Sequence, residues 1–215
     1  MPIFLFIFFL LMVGYAILIN FYHRAWNRLP AFNLPNTPSH TFISVIIAAR
    51  NEEQNLPDLM ESLVNQAYPK SLYEVIIVDD HSTDNTATFL RANTYAGLSL
   101  TVLSLADYII EREATRSYKK KAIETGIGVA KGSLIVTTDA DCHFGEHWLE
   151  SMAAFYESTQ AKFIAAPVKI IARPTLLGIF QSLDFITLQG ITGASVSRRF
   201  HSMCNGANLA YEKGI

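Results

Sequence analysis

The chain has 215 residues, which is enough for one sizeable hydrophobic core and too few for two comfortable domains. Half of the residues are hydrophobic, and the formal net charge is −2, from 17 basic and 19 acidic residues. Because no basic stripe with interleaved aromatic residues occurs, these numbers and the residue order exclude a nucleic-acid-binding protein. The two cysteines, Cys142 and Cys204, form no disulfide framework and have no partner at metal-ligand spacing, which favours a reduced, cytosol-facing domain.

The first element is the uncharged apolar run over residues 3–19. Since a transmembrane helix needs about 20 apolar residues, we predict a membrane anchor over residues 1–22. A cleaved signal peptide is the alternative, but no Lys or Arg precedes the run and no Ala-x-Ala follows it. Arg24 and Arg28 follow the run, so the positive-inside rule predicts that the rest of the chain is cytoplasmic.

Three prolines among Asn, Thr and Ser predict an irregular linker over residues 23–40, followed by a globular domain over residues 41–215. Within that domain, short β-branched runs alternate with segments in which apolar residues recur at helical spacing. The predicted strands cover residues 42–48, 74–78, 98–103, 133–138 and 163–166. Four helices are predicted. The first starts near Leu56, with Pro57 in its first turn, and the second follows a cap at Ser82 or Thr83, with Asp84 in its first turn. The third covers residues 117–131 and is ended by Gly132, and the fourth covers residues 146–158.

This alternation predicts an α/β fold, an open, mostly parallel, Rossmann-like sheet with helices on both faces. Ligands bind such sheets beyond the carboxyl ends of the strands. Asp79 and Asp80 close the second strand, and Asp139 and Asp141 close the fourth. The acidic residues are therefore expected to converge on one edge of the sheet.

The apolar stretch over residues 172–197 is interrupted by glycines and by Asp184. It is too interrupted for a predicted membrane span. Two alternatives stay open from the sequence. One is an amphipathic helix at the membrane surface or over an acceptor site, and the other is an ordinary core helix.

Asp139 and Asp141 stand one residue apart just past a buried strand, so they can share one divalent cation. Mg²⁺ and Mn²⁺ prefer such oxygen ligands, commonly one or two carboxylates together with substrate phosphates. An acidic turn without function is the alternative. A zinc site that adds His143 is disfavoured, because no second His or Cys pair has metal-ligand spacing.

Asp80, at the end of a strand, can accept hydrogen bonds from a nucleotide base or from ribose hydroxyls. Helix capping is the alternative, and both interpretations can hold together. The lysines at 119–121 can meet a phosphate or a base edge, although such a triplet can also be a solvated helix face.

Five segments together resemble the family 2 glycosyltransferases, which have the GT-A fold. They are residues 44–53 (Ser-Val-Ile-Ile-Ala-Ala-Arg-Asn-Glu-Glu), 78–86 (Val-Asp-Asp-His-Ser-Thr-Asp-Asn-Thr), 119–126 (Lys-Lys-Lys-Ala-Ile-Glu-Thr-Gly), 138–141 (Thr-Asp-Ala-Asp) and 204–210 (Cys-Asn-Gly-Ala-Asn-Leu-Ala). The resemblance implies inverting transfer of a sugar from a nucleotide-sugar donor to a lipid or polysaccharide acceptor at the cytoplasmic face of a membrane. A UDP-sugar is the default donor, with GDP and dTDP as alternatives, and Mg²⁺ or Mn²⁺ is the implied cofactor.

The resemblance also implies roles for particular residues. The implied nucleotide-sugar-binding residues are Ala48, Arg50, Glu52, Asp79, Asp80, Lys119 and Asp139. The implied metal ligands are Asp141 and Asp139. The implied acceptor-side residues are Asn205, Gly206, Ala207 and Asn208.

The sequence departs from the family pattern at three places. His81 and Tyr118 stand where the family has glycine. The family's catalytic base is an acidic residue downstream of the segment 204–210, and Glu212 is too close to that segment. We therefore expect the base beyond Ile215, in a longer protein.

Three other functions are alternatives to this one. A non-catalytic, membrane-tethered nucleotide-binding module would suit a chain without the base. A phosphoryl-transfer receiver domain is disfavoured, because its acid pair follows the first strand and not the second. A dinucleotide-binding domain is disfavoured, because no Gly-x-Gly-x-x-Gly follows a strand.

Overall fold

The computed structural model describes residues 2–95, 97–108, 117–200 and 203–215. These residues separate into two compact units. The sheet unit comprises Asn33–Ala166 and Asn205–Ile215, and the helical unit comprises Met1–Phe32 and Pro167–Cys204. The sheet unit contains all the strand ends at which a site is expected.

Six strands of the sheet unit form one mixed sheet in the order β3-β2-β1-β4-β6-β5. The strands are β1 (Ile43–Ala49), β2 (Tyr73–Asp79), β3 (Ser99–Ser104), β4 (Leu134–Asp139), β5 (Phe163–Ala165) and β6 (Asn208–Glu212). The first four are parallel, whereas β6 is antiparallel to both β4 and β5. The prediction of an open, mostly parallel α/β sheet is confirmed, and β6 is an addition that the sequence did not predict.

Helices cover both faces of this sheet because residues of the central strands are apolar on both sides. In the sheet unit the α-helices are α2 (Leu56–Val64), α3 (Thr86–Ala92), α4 (Tyr118–Val129) and α5 (Trp148–Thr159), and in the helical unit they are α1 (Pro2–Trp26) and α6 (Leu176–Ser197). Val45 and Ile47 of β1 share a buried cluster with residues of α2, α3 and α5. Ile46 faces the opposite cluster, in which Ala122 and Ala130 are the contributions of α4 and its C-cap.

The strand order places a topological switch point between β1 and β4. The chain passes from β1 outward to β2 and β3, and then returns to place β4 on the other side of β1. A crevice opens at such a point, beyond the carboxyl ends of the two strands that separate. The register pairs Ala49 with Asp79 and Ala48 with Asp139, so these two aspartates flank the end of β1.

The predicted cap of α3 is wrong. The helix begins at Thr86, and its amide N–H donates to the Asp84 carboxylate over 3.0 Å. Ser82 and Thr83 bond to Asn51 instead, with 3.0 Å from the Asn51 amide to Ser82 Oγ and 2.8 Å from the Thr83 amide to Asn51 Oδ1. A neighbouring turn competes successfully for these short polar side chains.

The prediction that Gly132 ends α4 is also wrong, since the helix ends at Val129. Gly132 is required by packing, because a Cβ there would lie 2.5 Å from the backbone nitrogen of Ser44. Its amide donates to Ser44 Oγ over 2.7 Å, and Ser44 in turn donates to the buried Glu74 carboxylate. The Lys131 amide donates to the same Glu74 oxygen over 2.6 Å.

The helical unit contains α1 and α6. By length and composition, α1 can cross a membrane, and its apolar side chains are exposed. In α6 the buried residues are Gly178, Ala194 and Ser195, so the core-helix alternative is wrong. The division of the chain into an anchor, a linker and a catalytic domain stays a prediction.

Candidate functional site

The carboxylate of Asp80 lies at the end of β2 and is buried, with 6% of the residue exposed. The Asp80 amide donates to the Ala49 carbonyl over 2.8 Å, which ties the ends of β1 and β2 together. Asp80 Oδ2 lies 3.9 Å from Arg50 Nη1, and Asp80 Oδ1 lies 2.9 Å from His81 Nδ1. Because an ionised carboxylate accepts only, the His81 Nδ1–H donates this bond. Two cationic or polar side chains therefore hold one buried carboxylate in place.

The end of β4 carries the second group of candidate residues. Lys119, in the first turn of α4, places Nζ 2.7 Å from Asp139 Oδ1. Asp141 follows on an exposed turn that is closed by a 3.3 Å bond from the Cys142 amide to the Asp139 carbonyl. Burial raises the pKa of the Cys142 thiol, so this thiol is protonated at neutral pH. The structure thus brings together Lys119 and Asp139, which lie far apart in sequence.

Asp79 differs from its neighbour in having a buried carboxylate oxygen, Oδ1, without a hydrogen-bond partner among the described residues. Native proteins leave few buried polar atoms unpaired, because each costs free energy. Such an atom at the switch point marks a place where a ligand, an ion or water can supply the missing partner. Ala48 lies half-buried on the neighbouring strand β1.

The turns that follow β1 and β2 are joined to each other by side-chain hydrogen bonds. The Glu52 amide donates to Thr86 Oγ1 over 2.8 Å, and the Glu53 amide donates to Asp84 Oδ2 over 3.2 Å. The Glu53 carboxylate accepts from both the amide and the side chain of Asn85, over 3.1 and 2.9 Å. Hydrogen bonds from Thr86, and then from the Glu53 amide, hold the pKa of Asp84 below its usual value.

This joint between the turns was missed from the sequence, although a signal for it exists. Asn51 and His81 have φ angles of 57° and 55°, the left-handed region. Asn and His are among the side chains that tolerate this region best, and each follows a strand end closely. Glu52, implied as a nucleotide-binding residue, accepts a 2.6 Å bond from Asn55 and so supports its own turn.

The implied acceptor-side segment lies beside β4. Asn208 begins β6 and pairs in register with Thr138, the residue before Asp139. Its side-chain oxygen accepts a 2.9 Å bond from the Trp148 indole, which stacks on Phe144. The predicted acceptor-side and metal-binding segments therefore meet at the carboxyl end of β4.

The rest of that segment is a short turn before β6. The Ala207 amide donates to the Asn205 side chain over 3.0 Å, and Ala207 is buried while Gly206 is exposed. This local bond orders the turn.

Asp139 and Asp141, the predicted metal ligands, supply carboxylate oxygens, the ligand type that Mg²⁺ and Mn²⁺ prefer. Within residues 2–95, 97–108, 117–200 and 203–215, no three or more His, Cys, Asp or Glu side chains are grouped to hold a metal. Two carboxylates match a cation that completes its coordination with phosphate oxygens and water, as Mg²⁺ commonly does. The residues therefore fit a metal that binds together with a diphosphate.

Comparison with known proteins gives the family. The family profile described as "Glycosyl transferase family 2" matches residues 44–182, more than half of the chain. The chain belongs to glycosyl transferase family 2. The matched range contains the carboxyl ends of β1, β2 and β4, whereas β6 lies outside it.

Three curated family 2 relatives show the range of named activities. Glycosyltransferase AglE of Haloferax volcanii is 32% identical over 133 residues, which cover 62% of this chain and 41% of that protein. The poly(ribitol-phosphate) beta-glucosyltransferase of Bacillus spizizenii is 32% identical over 127 residues, 59% of this chain and 19% of that one. The beta-monoglucosyldiacylglycerol synthase of Nostoc is 30% identical over 119 residues, which cover 54% of this chain and 24% of that protein. The chain spans less than half the length of these relatives.

Solved structures agree with the fold. The mannosyltransferase PcManGT of Pyrobaculum calidifontis, in complex with GDP-Man and Mn²⁺, superposes with a TM-score of 0.67 at 23% identity, over 93% of this chain and 53% of that one. Staphylococcus aureus TarS in complex with UDP-GlcNAc gives a TM-score of 0.51 at 25% identity, over 62% of this chain and 36% of that one. The GT-A-like fold expected from the sequence is thereby confirmed.

Proposed function

We propose that this family 2 protein transfers a sugar from a nucleotide-sugar donor to a lipid or polysaccharide acceptor, with inversion at the anomeric carbon. The observation that carries the proposal is the meeting of three strand ends at the β1–β4 switch point. There, Asp80 with Arg50 and Asp139 with Lys119 form two held carboxylate–cation pairs. The names of the relatives, which act on polymers and on a diacylglycerol lipid, support the acceptor classes.

The Asp80 end of the site suits the nucleoside. A buried carboxylate whose position is already fixed accepts a hydrogen bond from a base N–H or a ribose hydroxyl without losing further side-chain freedom. Arg50 is exposed beside it and can pair with the diphosphate through its guanidinium. These two residues would select and orient the donor before any bond breaks.

The Asp139 end suits the diphosphate leaving group. Asp139 and Asp141 would hold Mg²⁺ or Mn²⁺, which supplies positive charge to the departing diphosphate. Lys119, beside Asp139, adds a cation from the protein itself. In the inverting reaction an acceptor hydroxyl oxygen bonds to the anomeric carbon as the bond from that carbon to the diphosphate oxygen breaks on the opposite face. The turn at Asn205 and the Asn208 side chain, beside the carboxyl end of β4, would contact the acceptor.

We further propose that residues 1–22 anchor the protein, that residues 23–40 are a linker and that the domain over residues 41–215 faces the cytoplasm. The exposed apolar surface of α1 supports the anchor, and Arg24 and Arg28 after it support the orientation. Protease added to sealed, inside-out vesicles should cleave the domain, and protease added to intact cells should not. The opposite pattern would reverse the orientation.

The donor site is tested by calorimetric titration of UDP, GDP and dTDP into the full chain in detergent, with and without Mn²⁺. We expect one of the three nucleotides to bind in a Mn²⁺-dependent manner, and Asp141→Asn to abolish that dependence. Glu212→Gln is the matched control, because it also removes one carboxylate but lies at the opposite end of β4, paired with Leu134.

Three results would count against the proposal or refine it. Failure of all three nucleotides to bind with Mn²⁺ would refute the donor site. Unchanged metal dependence in Asp141→Asn would remove that residue from the metal site. Nucleotide binding without sugar transfer to lipid extracts would favour the non-catalytic alternative.

A further inference from the structure

Two residues that depart from the family pattern touch each other. His81 follows β2, and Tyr118 is the first residue of α4. Their ring centroids lie 5.5 Å apart at an interplanar angle of 75°, an edge-to-face contact. In the resembled segments both positions are glycine, so this contact is a feature of this chain and not of the family pattern.

The His81 imidazole is fixed on two sides. Its Nδ1–H donates to Asp80 Oδ1, and its ring edge meets Tyr118. Its other nitrogen, Nε2, makes no hydrogen bond to a residue that the structure describes. The backbone at His81 is left-handed with φ 55°, a conformation that glycine adopts without strain. The imidazole therefore makes its contacts with Asp80 and Tyr118 from a backbone position that glycine would occupy without strain.

Those contacts link the two halves of the candidate site. His81 Nδ1–H donates to Asp80 Oδ1. The other carboxylate oxygen, Oδ2, lies beside Arg50 and is the one that a ligand would contact. Tyr118 is joined through the backbone to Lys119, which reaches Asp139. The ring pair therefore connects the nucleoside side of the site to the diphosphate side.

We propose that His81 and Tyr118 are a positioning pair for the donor nucleotide, an inference that rests on the proposed function. The Tyr118 ring sets the orientation of the imidazole, and the imidazole sets the rotamer of Asp80. The ligand is the nucleoside diphosphate part of the donor. Neither ring needs to touch the sugar, so the pair acts on nucleotide affinity and not on the choice of sugar.

The variants separate the hydrogen bond from the ring contact. His81→Gly removes both and also relieves the left-handed backbone. His81→Asn keeps an N–H donor near the position of Nδ1 and tolerates the left-handed region, but it loses the ring. Tyr118→Ala loses the ring contact alone, and Tyr118→Phe keeps it. Gln160→Gly is the matched control, since Gln160 has φ 54° at the end of α5.

The measurement is the Kd of Mn²⁺-dependent nucleotide binding by the full chain in detergent, together with its melting temperature. We expect His81→Gly to weaken binding about tenfold, as for loss of a hydrogen bond to a charged group, without lowering the melting temperature. His81→Asn and Tyr118→Ala should each weaken binding by about two- to threefold. Tyr118→Phe should recover what Tyr118→Ala loses, and Gln160→Gly should leave Kd unchanged.

The double variant tests the order of action. If Tyr118 acts through His81, the combined His81→Gly and Tyr118→Ala change weakens binding no more than His81→Gly alone. If the losses in affinity of the two single variants multiply in the double variant, Tyr118 does not act through His81 and the proposal is overturned. If the unaltered protein binds nucleotide and His81→Gly binds equally well, this inference falls while the proposed function stands. If the unaltered protein binds none of UDP, GDP and dTDP, this inference and the proposed function fall together.

Discussion

The close approach of α4 to the sheet depends on the absence of a side chain at Gly126. A Cβ at this position would lie 2.6 Å from Ile46 Cγ2 and 3.4 Å from Val78 Cγ2. Both neighbours are fully buried residues on the central strands, and the Ile46 methyl is attached directly to its Cβ. Since carbon atoms prefer a separation of about 3.5–4.0 Å, Gly126→Ala must push the helix away from β1 by about 1 Å.

The magnitude follows from two opposing effects. Inserting a methyl group into a packed core costs about 1–3 kcal/mol. Replacing glycine by alanine inside a helix gains about 1 kcal/mol. Gly128 provides the matched control, because it lies on the exposed side of the same helix with nothing within 4 Å of its added Cβ. Gly128→Ala should therefore show the gain alone, about 1 kcal/mol.

Thermal unfolding of the two variants in detergent measures the difference. We expect Gly128→Ala to melt above the unaltered protein, and Gly126→Ala to melt about 2–12 °C below Gly128→Ala, from about 2–4 °C per kcal/mol in a chain of this size. Nucleotide affinity should fall only in Gly126→Ala, because its helix carries Lys119 toward Asp139. Equal rises in melting temperature for both alanines would refute the close-packing argument.

Two further changes probe the ends of the sheet and the linker. Glu157 accepts bonds from the His40 and Thr41 amides and the Thr41 hydroxyl; burial acts to raise its pKa, but these hydrogen bonds lower it overall. Its stabilisation is thus present above the unfolded pKa of about 4.5 and is lost as the pH falls through the lower folded pKa. Glu157→Gln should lower the free energy of unfolding by about 1 kcal/mol at neutral pH. It should have no effect at a pH below the folded-state pKa of Glu157. Glu74→Ala should lower the free energy of unfolding by about 2–4 kcal/mol, because Ser44 and the Lys131 amide lose a buried acceptor.

Urea titrations at neutral and acidic pH measure both of these effects. A Glu157→Gln deficit that stays constant at acidic pH would show that its charge does not stabilise the fold. Stability of Glu74→Ala within about 0.5 kcal/mol of the unaltered protein would mean that water replaces the lost acceptor. Glu61→Gln, on the exposed side of α2, is the control for charge removal in both experiments.

The sequence by itself determined the parallel core of this protein. A parallel strand is buried on both faces, so its residues form a continuous apolar, β-branched run, as in β1, β2 and β4. Parallel strands end at the same edge, so the aspartates after β2 and β4 were expected together, and they flank β1 in the structure. The helical spacing of α2 and Pro57 in its first turn were likewise readable locally.

Only the tertiary structure decided the features that depend on partners distant in the chain. The five residues of β6 carry no strong strand signal and become a strand because the edges of β4 and β5 are there to pair with. The buried residues of α4 are Ala122 and Gly126, and Ala130 at its C-cap is buried too. The sheet contact of this helix therefore depends on small residues and not on a stripe of large apolar side chains. The bonds of Lys119 to Asp139 and of His81 to Asp80 depend on side-chain rotamers that neighbouring elements select. Sequence periodicity sets where strands and helices form, whereas these short contacts exist only once the elements have packed.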